Sequence, residues 1–341
     1  MDSLLFFNPY YGDTILASAL ANKFSKHFKD ELVVIASITD EMSEFARDLG
    51  AEAVSYKKLG DMVEEGSKMS VPLTKHYKGG TDLFYLYDCD RAVEKRIEAL
   101  CEEIVKDALE LSLKKFYILH YSYAYAKLAQ VALKHGLEVY GYCIDELNRL
   151  YFVKGDTDLE LTSIWNRDYI GDRLSRLVTG ENLNREDFAN LGGNLNRNGV
   201  RLFPTTRSYA TNAENWHVDI AVLEHMDQPY HVYCRNTEKQ PDFVYGLAPN
   251  KSNTFKTITD MIHLIQSSEF IICYDSASFH LAWLTGTPAI VKLKGGFNEE
   301  WVPRWLKNSV DYYFIPSNQM YEEEYLAYLT EGLNQLGVKV T

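Results

Sequence analysis

The sequence predicts an α/β protein built from two Rossmann-like halves. Three observations lead there. The chain has 341 residues, more than one core usually serves, since domains favour roughly 100–200 residues. Short apolar runs alternate with longer amphipathic ones through the first 150 residues, and the same alternation restarts after position 200. Between the two lies an Asn- and Gly-rich stretch, Gly180 to Gly199, holding Asn182, Asn184, Asn190, Gly192, Gly193, Asn194, Asn196 and Asn198, residue types that favour turns over regular pairing.

In the first half, Leu4 to Phe7, Leu32 to Ala36, Ala51 to Val54, Leu83 to Tyr87, Phe116 to Leu119 and Val139 to Cys143 read as strands. Leu16, Leu20, Phe24 and Phe28 recur at four-residue spacing, and Arg91 to Leu111 and Ala124 to Lys134 share a helical pattern. Near-continuous apolar strands separated by helices imply a parallel sheet covered on both faces and built by right-handed crossovers. Beyond position 199, Val200 to Phe203, His231 to Cys234, Phe270 to Cys273 and Ala289 to Leu293 read as strands. Trp216 to His225, Thr257 to Gln266 and Ser276 to Leu284 read as the helices between them. Glu322 to Leu336 reads as a terminal helix. The expected division is 1–180 for the first domain, 181–199 for the linker, 200–320 for the second domain, and 321–341 for a helix returning to the first.

Composition narrows the function. Hydrophobic residues make up 46% and charged residues 24%, a globular balance, and the net charge of −13 disfavours broad nucleic-acid or membrane-surface binding. The five cysteines form no C-x-x-C pair and lie mostly in apolar runs, as buried thiols of a cytoplasmic protein do. The first residues lack the basic start and apolar length of a signal peptide, and no segment approaches the ~18 apolar residues of a membrane span.

In parallel sheets, ligands sit beyond the carboxyl ends of the strands, where loops run into helix N-termini. Three such turns stand out. Asn8-Pro9-Tyr10-Tyr11-Gly12-Asp13 opens the first helix; Asp13 is either a first-turn or capping carboxylate, or a general base at the sheet edge. Phe203-Pro204-Thr205-Thr206-Arg207-Ser208 offers hydroxyls and a guanidinium suited to phosphate, or is a plain polar loop. Tyr274-Asp275-Ser276-Ala277-Ser278-Phe279-His280 ends a strand and starts a helix with small residues, leaving free amides for a diphosphate; a cap plus a core histidine is the simpler account.

These stretches resemble the bacterial heptosyltransferase family of GT-B glycosyltransferases, in order and spacing over most of the chain, more closely from 200 to 295 than from 40 to 180. The resemblance implies a GT-B fold, two Rossmann-like domains facing each other across a cleft, and transfer of a sugar from a nucleotide-diphosphate sugar. It makes Asp13 the base, and Thr205, Thr206, Arg207, Asp275, Ser276, Ala277, His280 and Lys294 donor-site residues. Tyr10, Tyr11, Gly12, His120, Tyr121 and Tyr123, with Tyr125 beside them, fall in the half that binds acceptor in such enzymes, and aromatic faces stack well on sugars. The family's lysine after the threonine loop is missing, Asn212 or Asn215 standing in that region, and its glycine after the Asp-Ser pair is Ala277. Lys292 and Lys294 are candidates to replace the missing charge, or are solvated.

The expected reaction is inverting and needs neither metal nor cofactor, and the acceptor is a glycan, lipid-linked, protein or modified-nucleobase hydroxyl. A nucleotide-sugar epimerase and a non-catalytic nucleotide-sugar-binding protein are the alternatives. Asp88-Cys89-Asp90 and Asp156-Thr157-Asp158 match the metal-binding D-x-D of GT-A enzymes, but 22 Asp in 341 positions yield about 1.4 such pairs by chance. Dehydrogenase, serine-hydrolase and zinc-site fingerprints are lacking.

Overall fold

The chain is described from a computed structural model over residues 2–8, 10–29, 31–67, 73–78, 81–86, 90–159, 168–192, 196–204, 215–226, 228–236, 246–293, 298–316 and 320–338. It divides into two compact units, Met1–Ala189 and Asn190–Thr341.

The first unit runs β1 (Ser3–Phe6), α1 (Tyr11–His27), β2 (Val33–Ser37), α2 (Asp40–Asp48), β3 (Ala53–Ser55), α3 (Lys57–Ser67), β4 (Leu73–Lys78), β5 (Thr81–Leu86), α4 (Arg91–Glu110), β6 (Lys115–Ile118), α5 (Tyr123–Lys134), β7 (Glu138–Ile144), β8 (Arg149–Lys154), β9 (Thr157–Leu159) and α6 (Ile170–Thr179). Its strands order as β3-β2-β1-β6-β7-β8-β5-β4, with β9 on β8. The five from β3 to β7 are parallel, the Rossmann arrangement expected. The rest is not. β8 returns antiparallel on β7, and β5 and β4 extend it antiparallel, so the strand around Leu83 to Leu86 belongs to an antiparallel extension and not to the parallel core. The reversal is made at Asp145, whose Oδ1 accepts from the amides of Leu147 (2.9 Å) and Arg149 (2.8 Å), with Asn148 left-handed at φ 58°. Gly141 on β7 is required for a different reason. A Cβ there would lie 2.0 Å from the carbonyl oxygen of Ile118, on the strand that leads to His120.

The second unit runs β10 (Val200–Phe203), α7 (Trp216–His225), β11 (Tyr230–Arg235), β12 (Ser252–Phe255), α8 (Ile258–Gln266), β13 (Phe270–Tyr274), α9 (Ala277–Thr285), β14 (Ala289–Lys292), β15 (Tyr312–Ile315) and α10 (Glu322–Gln335). All six strands are parallel, in the order β12-β11-β10-β13-β14-β15. Thr257 and Asp260 cap α8 reciprocally, hydroxyl to the Asp260 amide at 3.1 Å and carboxylate to the Thr257 amide at 2.9 Å. The terminal helix packs in the second unit. Tyr325, Leu329 and Leu333 of α10, spaced by four, are fully buried with Trp216, Ile290 and Ile315, so the helix completes the core of the second unit. Burying three such side chains contributes several kcal/mol.

The connecting stretch is held in two parts. Lys23 meets Glu181 at 2.6 Å and Lys26 meets Asp187 at 3.1 Å, on the last turns of α1. Beyond Ala189, the Leu191 amide donates to the Leu284 carbonyl at 2.9 Å, and Arg197 donates to the Gly286 carbonyl at 2.7 Å, at the end of α9. Gly286, left-handed at φ 66°, ends that helix.

Candidate functional site

The first turn of interest lies at the carboxyl ends of the neighbouring strands β1 and β6. Asp13 is the third residue of α1, while Tyr10 is the N-cap and makes no side-chain cap bond. The carboxyl is buried, at 8% exposure, and Asn8 Nδ2 donates to its Oδ2 at 3.0 Å. Burial pushes its pKa up to about 7, and the Asn8 bond offsets this only partly. A carboxyl poised near neutrality is what a general base requires. Tyr11 packs edge-on against Phe45, ring centroids 5.7 Å apart, Gly12 continues the helical turn, and Tyr10 is exposed at 37%.

His120 follows β6. Its ring stacks on Tyr121 at 5.3 Å and 14°, and the Ser122 amide donates to its Nδ1 at 3.3 Å. Burial drives its pKa down to about 4, so the imidazole is neutral at pH 7 with its proton on Nε2. Tyr123 turns away from this group, and Tyr125 lies under it. Tyr123 is buried and donates to Glu94 Oε1 at 2.7 Å, while Tyr125 is buried beneath His120 and donates to the Phe7 carbonyl at 2.8 Å. The structure thus groups Tyr10, Tyr11, Gly12, Asp13, His120 and Tyr121, and places the Tyr123 hydroxyl against α4.

In the second unit, Ser276 is the N-cap of α9 without capping it. Its hydroxyl bonds the Tyr274 carbonyl at 3.2 Å and the Ser278 hydroxyl at 2.7 Å, which leaves the first-turn amides, beginning at Ala277, to a ligand or solvent. Burial pushes Asp275 up to about 7. His280 is buried one turn in, its pKa lowered to about 4 by desolvation, and Trp283 Nε1 donates to its Nδ1 at 3.4 Å. That bond leaves the proton on Nε2. Trp283, three residues on and so on the same helix face, went unread in the sequence, as did the Asn8 amide that serves Asp13.

Lys292 is neither a phosphate ligand nor solvated. It is wholly buried at the end of β14, paired with the equally buried Asp219 of α7, with its ammonium 3.5 Å from the Trp216 ring centroid. Tyr325 donates to the other Asp219 oxygen at 2.7 Å. The lysine became internal because β14 is a central strand of a sheet covered on both faces, where an outward path for the side chain does not exist. Thr205, Thr206, Arg207 and Lys294, together with Asp88, Cys89 and Asn212, lie outside the described residues. Asn215 does not replace the family lysine at an open surface. It is 6% exposed, left-handed at φ 62°, and stands at the N-cap position of α7 without a side-chain cap bond. Of the D-x-D candidates, Asp90 caps α4 by accepting from the Ala92 amide at 2.7 Å, and Asp156 and Asp158 are exposed at the β8–β9 turn and on β9. No described helix is long and apolar enough to cross a membrane.

No protein-family model matches the chain, and no curated protein matches it in sequence. Solved structures do match it in fold. The E. coli heptosyltransferase WaaC with ADP superposes with a TM-score of 0.55 at 12% identity, covering 97% of this chain and all of that one. E. coli ADP-heptose lps heptosyltransferase II gives 0.58 at 12% identity, covering 98% and 99%. A glycosyl transferase family 9 protein from Veillonella parvula gives 0.58 at 9% identity, covering 100% and 94%. The likeness to heptosyltransferases carried by the motifs therefore extends along nearly the whole chain as a likeness of architecture, and the protein has the GT-B fold, with two Rossmann-like domains.

Proposed function

We propose that this protein is an inverting, metal-independent glycosyltransferase that moves a sugar from a nucleotide-diphosphate sugar to an acceptor hydroxyl. The observation that carries the reading is Asp13, a buried carboxyl raised to about 7 at the end of β1, hydrogen-bonded through a neutral amide. In this reading Asp13 takes the proton of the acceptor hydroxyl. That oxygen attacks the anomeric carbon, and the bond to the diphosphate breaks with its electron pair leaving on phosphate. The uncapped first turn of α9 supports a diphosphate site, because free amides and the helix dipole stabilise a departing anion. Arg207 and Lys294 are the cations assigned to it; Lys292 is withdrawn from that role by Asp219. Two of the structures similar in fold are heptosyltransferases, one with ADP and the other an ADP-heptose lps heptosyltransferase, which fits a nucleotide-sugar donor.

The test supplies the protein with a panel of nucleotide sugars and follows nucleoside diphosphate release with and without acceptor. Acceptor-dependent release that survives excess EDTA, with inverted configuration in the product, is expected. A rearranged donor without acceptor would make the protein an epimerase, and binding without either reaction would make it a non-catalytic nucleotide-sugar-binding protein.

A further inference from the structure

Lys292 reaches the turn into α9 from below. It ends β14 in register with Tyr274, which ends β13, and its carbonyl accepts the Asp275 amide at 3.2 Å, so the last rung of the sheet carries that turn. Period-two alternation puts the Lys292 side chain on the same face as Ile290, which packs with Trp216, Tyr274 and Tyr325. One indole is gripped there from several directions. The Lys292 ammonium lies 3.5 Å from the Trp216 ring centroid, Trp216 Nε1 donates to the Tyr274 hydroxyl at 3.2 Å, and those two rings meet edge-on at 5.4 Å. Asp219 holds the ammonium with one oxygen and accepts from the Tyr325 hydroxyl with the other, at 2.7 Å. Tyr274 in turn offers its carbonyl to the Ser276 hydroxyl at 3.2 Å. Directional contacts therefore run from a buried ion pair to the two backbone groups that set the turn, the Tyr274 carbonyl and the Asp275 amide. Stability does not account for the charges. Apolar side chains of similar volume fill such a space at equal or better stability, because the attraction within a buried pair often fails to offset its desolvation. What apolar side chains do not supply is direction.

We propose that Asp219 and Lys292 are positioning residues for the nucleoside diphosphate: the pair fixes the backbone from Tyr274 to Ser276, so that the first-turn amides of α9 hold one orientation. This rests on the reading of that turn as the diphosphate site. Amides already held in place bind an anion without a further entropic cost of ordering them. Lys292 thus serves the diphosphate through the turn and not by contact, with Tyr325 steadying Asp219 from the terminal helix.

The test compares the full chain with the double variant Asp219→Leu with Lys292→Met, which keeps the volume and removes the direction. Three properties are read: urea unfolding, calorimetric binding of ADP, UDP and GDP added separately, and hydrogen exchange at the Asp275 amide. The double variant should unfold near the wild-type midpoint. It should nevertheless bind the tightest of the three diphosphates about 10-fold more weakly and exchange the Asp275 amide about 10-fold faster, with the β10 amides unchanged. Tyr325→Phe removes one bond to Asp219 and leaves the ring in the core, so it should shift both properties the same way by about 3-fold. It decides the matter if the double variant does not fold. Affinity or Asp275 exchange that stays at the wild-type value overturns the proposal. So does a loss of affinity accompanied by equally faster exchange throughout the second unit, the mark of a merely structural role. The wild-type chain separates the two failures: if it binds a diphosphate that the variants bind equally well, the positioning role alone is wrong, and if it binds none of the three, the diphosphate site falls and the proposal with it.

Discussion

Strands β1 and β10 each head a Rossmann arrangement, and two buried acids beside them, Asp13 and Asp219, are treated in opposite ways. In the first unit, Asp13 is buried at the strand end against one neutral amide. In the second unit, Asp219 and Lys292 are buried together beneath the terminal helix, with Tyr325 on the remaining carboxylate oxygen. The unpaired acid keeps its proton up to neutral pH and is suited to exchange it. The paired acid is committed to holding α7, β14 and α10 in one core. Position explains the difference: Asp13 stands where a strand ends and a ligand can reach, while Asp219 faces the middle of a covered sheet.

The strongest way to break this comparison is to disturb the pair. Asp219→Ala leaves the Lys292 ammonium buried without a carboxylate and Tyr325 without its acceptor, and should destabilise the second unit by about 3–5 kcal/mol in urea unfolding. The double change Asp219→Leu with Lys292→Met removes both charges and should recover much of that loss. If the single and double variants unfold alike, the pair is not what holds the helix.

Next in size is Asp13→Asn. The amide cannot take a proton, so turnover should fall at least ~10²-fold while nucleoside diphosphate affinity in calorimetry stays unchanged. Near-normal turnover would reduce Asp13 to a first-turn carboxylate serving the helix dipole.

The pH dependence sharpens the contrast further. Asp13 and Asp275, both raised to about 7 by burial, bind more protons folded than unfolded between about pH 4 and 7. Their contribution to stability is complete below pH 4 and is lost as pH rises through 7. His120 and His280, lowered to about 4, act in reverse: their contribution is present above the unfolded value of about 6.5 and is lost as pH falls toward 4. The two pairs oppose each other between pH 4 and 6.5. From pH 6.5 to 7.5 the folded carboxyls release their last protons while the unfolded histidines release theirs, so stability should fall only gently towards pH 8, by well under about 1.4 kcal/mol per pH unit for each carboxyl. kcat/KM should rise over the same interval, with an apparent pKa about 7. Asn8→Ala, which removes the bond that lowers Asp13, should move that limb to higher pH; an unmoved limb would mean that another group is titrating.

Much of this was legible in the sequence because local pattern and burial agree there. The strands Val200 to Phe203, Phe270 to Cys273 and Ala289 to Leu293, and the helices between them, are central elements whose apolar runs have one outcome. The Asp13 and Ser276 turns could be placed because a strand end followed by a helix start is a local signal. What failed depends on distant partners. The β8 strand alternates as Arg149-Leu150-Tyr151-Phe152, but its antiparallel course is set at the Asp145 turn, by a side chain accepting from two amides. Lys292 looked available because a lysine near Gly295-Gly296 suggests a loop, whereas its partner is 73 residues away. Tyr325, Leu329 and Leu333 showed a helix with one apolar face without showing which sheet it covers.

The smallest effects belong to the connection between the units, and they test whether its two parts matter through local bonds alone. Asp187 closes a capping box, accepting from the Asn184 amide at 2.9 Å while meeting Lys26 at 3.1 Å. Arg197 is exposed and donates to the Gly286 and Thr285 carbonyls at 2.7 and 3.4 Å. Asp187→Ala should cost about 1 kcal/mol, the ordinary value of a lost cap. Because part of that is an ion pair with an exposed lysine, the difference from wild type should shrink on raising salt from 0.05 to 0.5 M. Arg197→Ala should cost less, about 0.5–1 kcal/mol, because an exposed guanidinium exchanges carbonyls for water. Its loss should be nearly indifferent to salt, since no opposing full charge is involved. Urea unfolding of both variants at the two salt concentrations reads these values directly. A loss of several kcal/mol from either change would mean that the connecting stretch, and not the two cores, sets the stability of the units it joins.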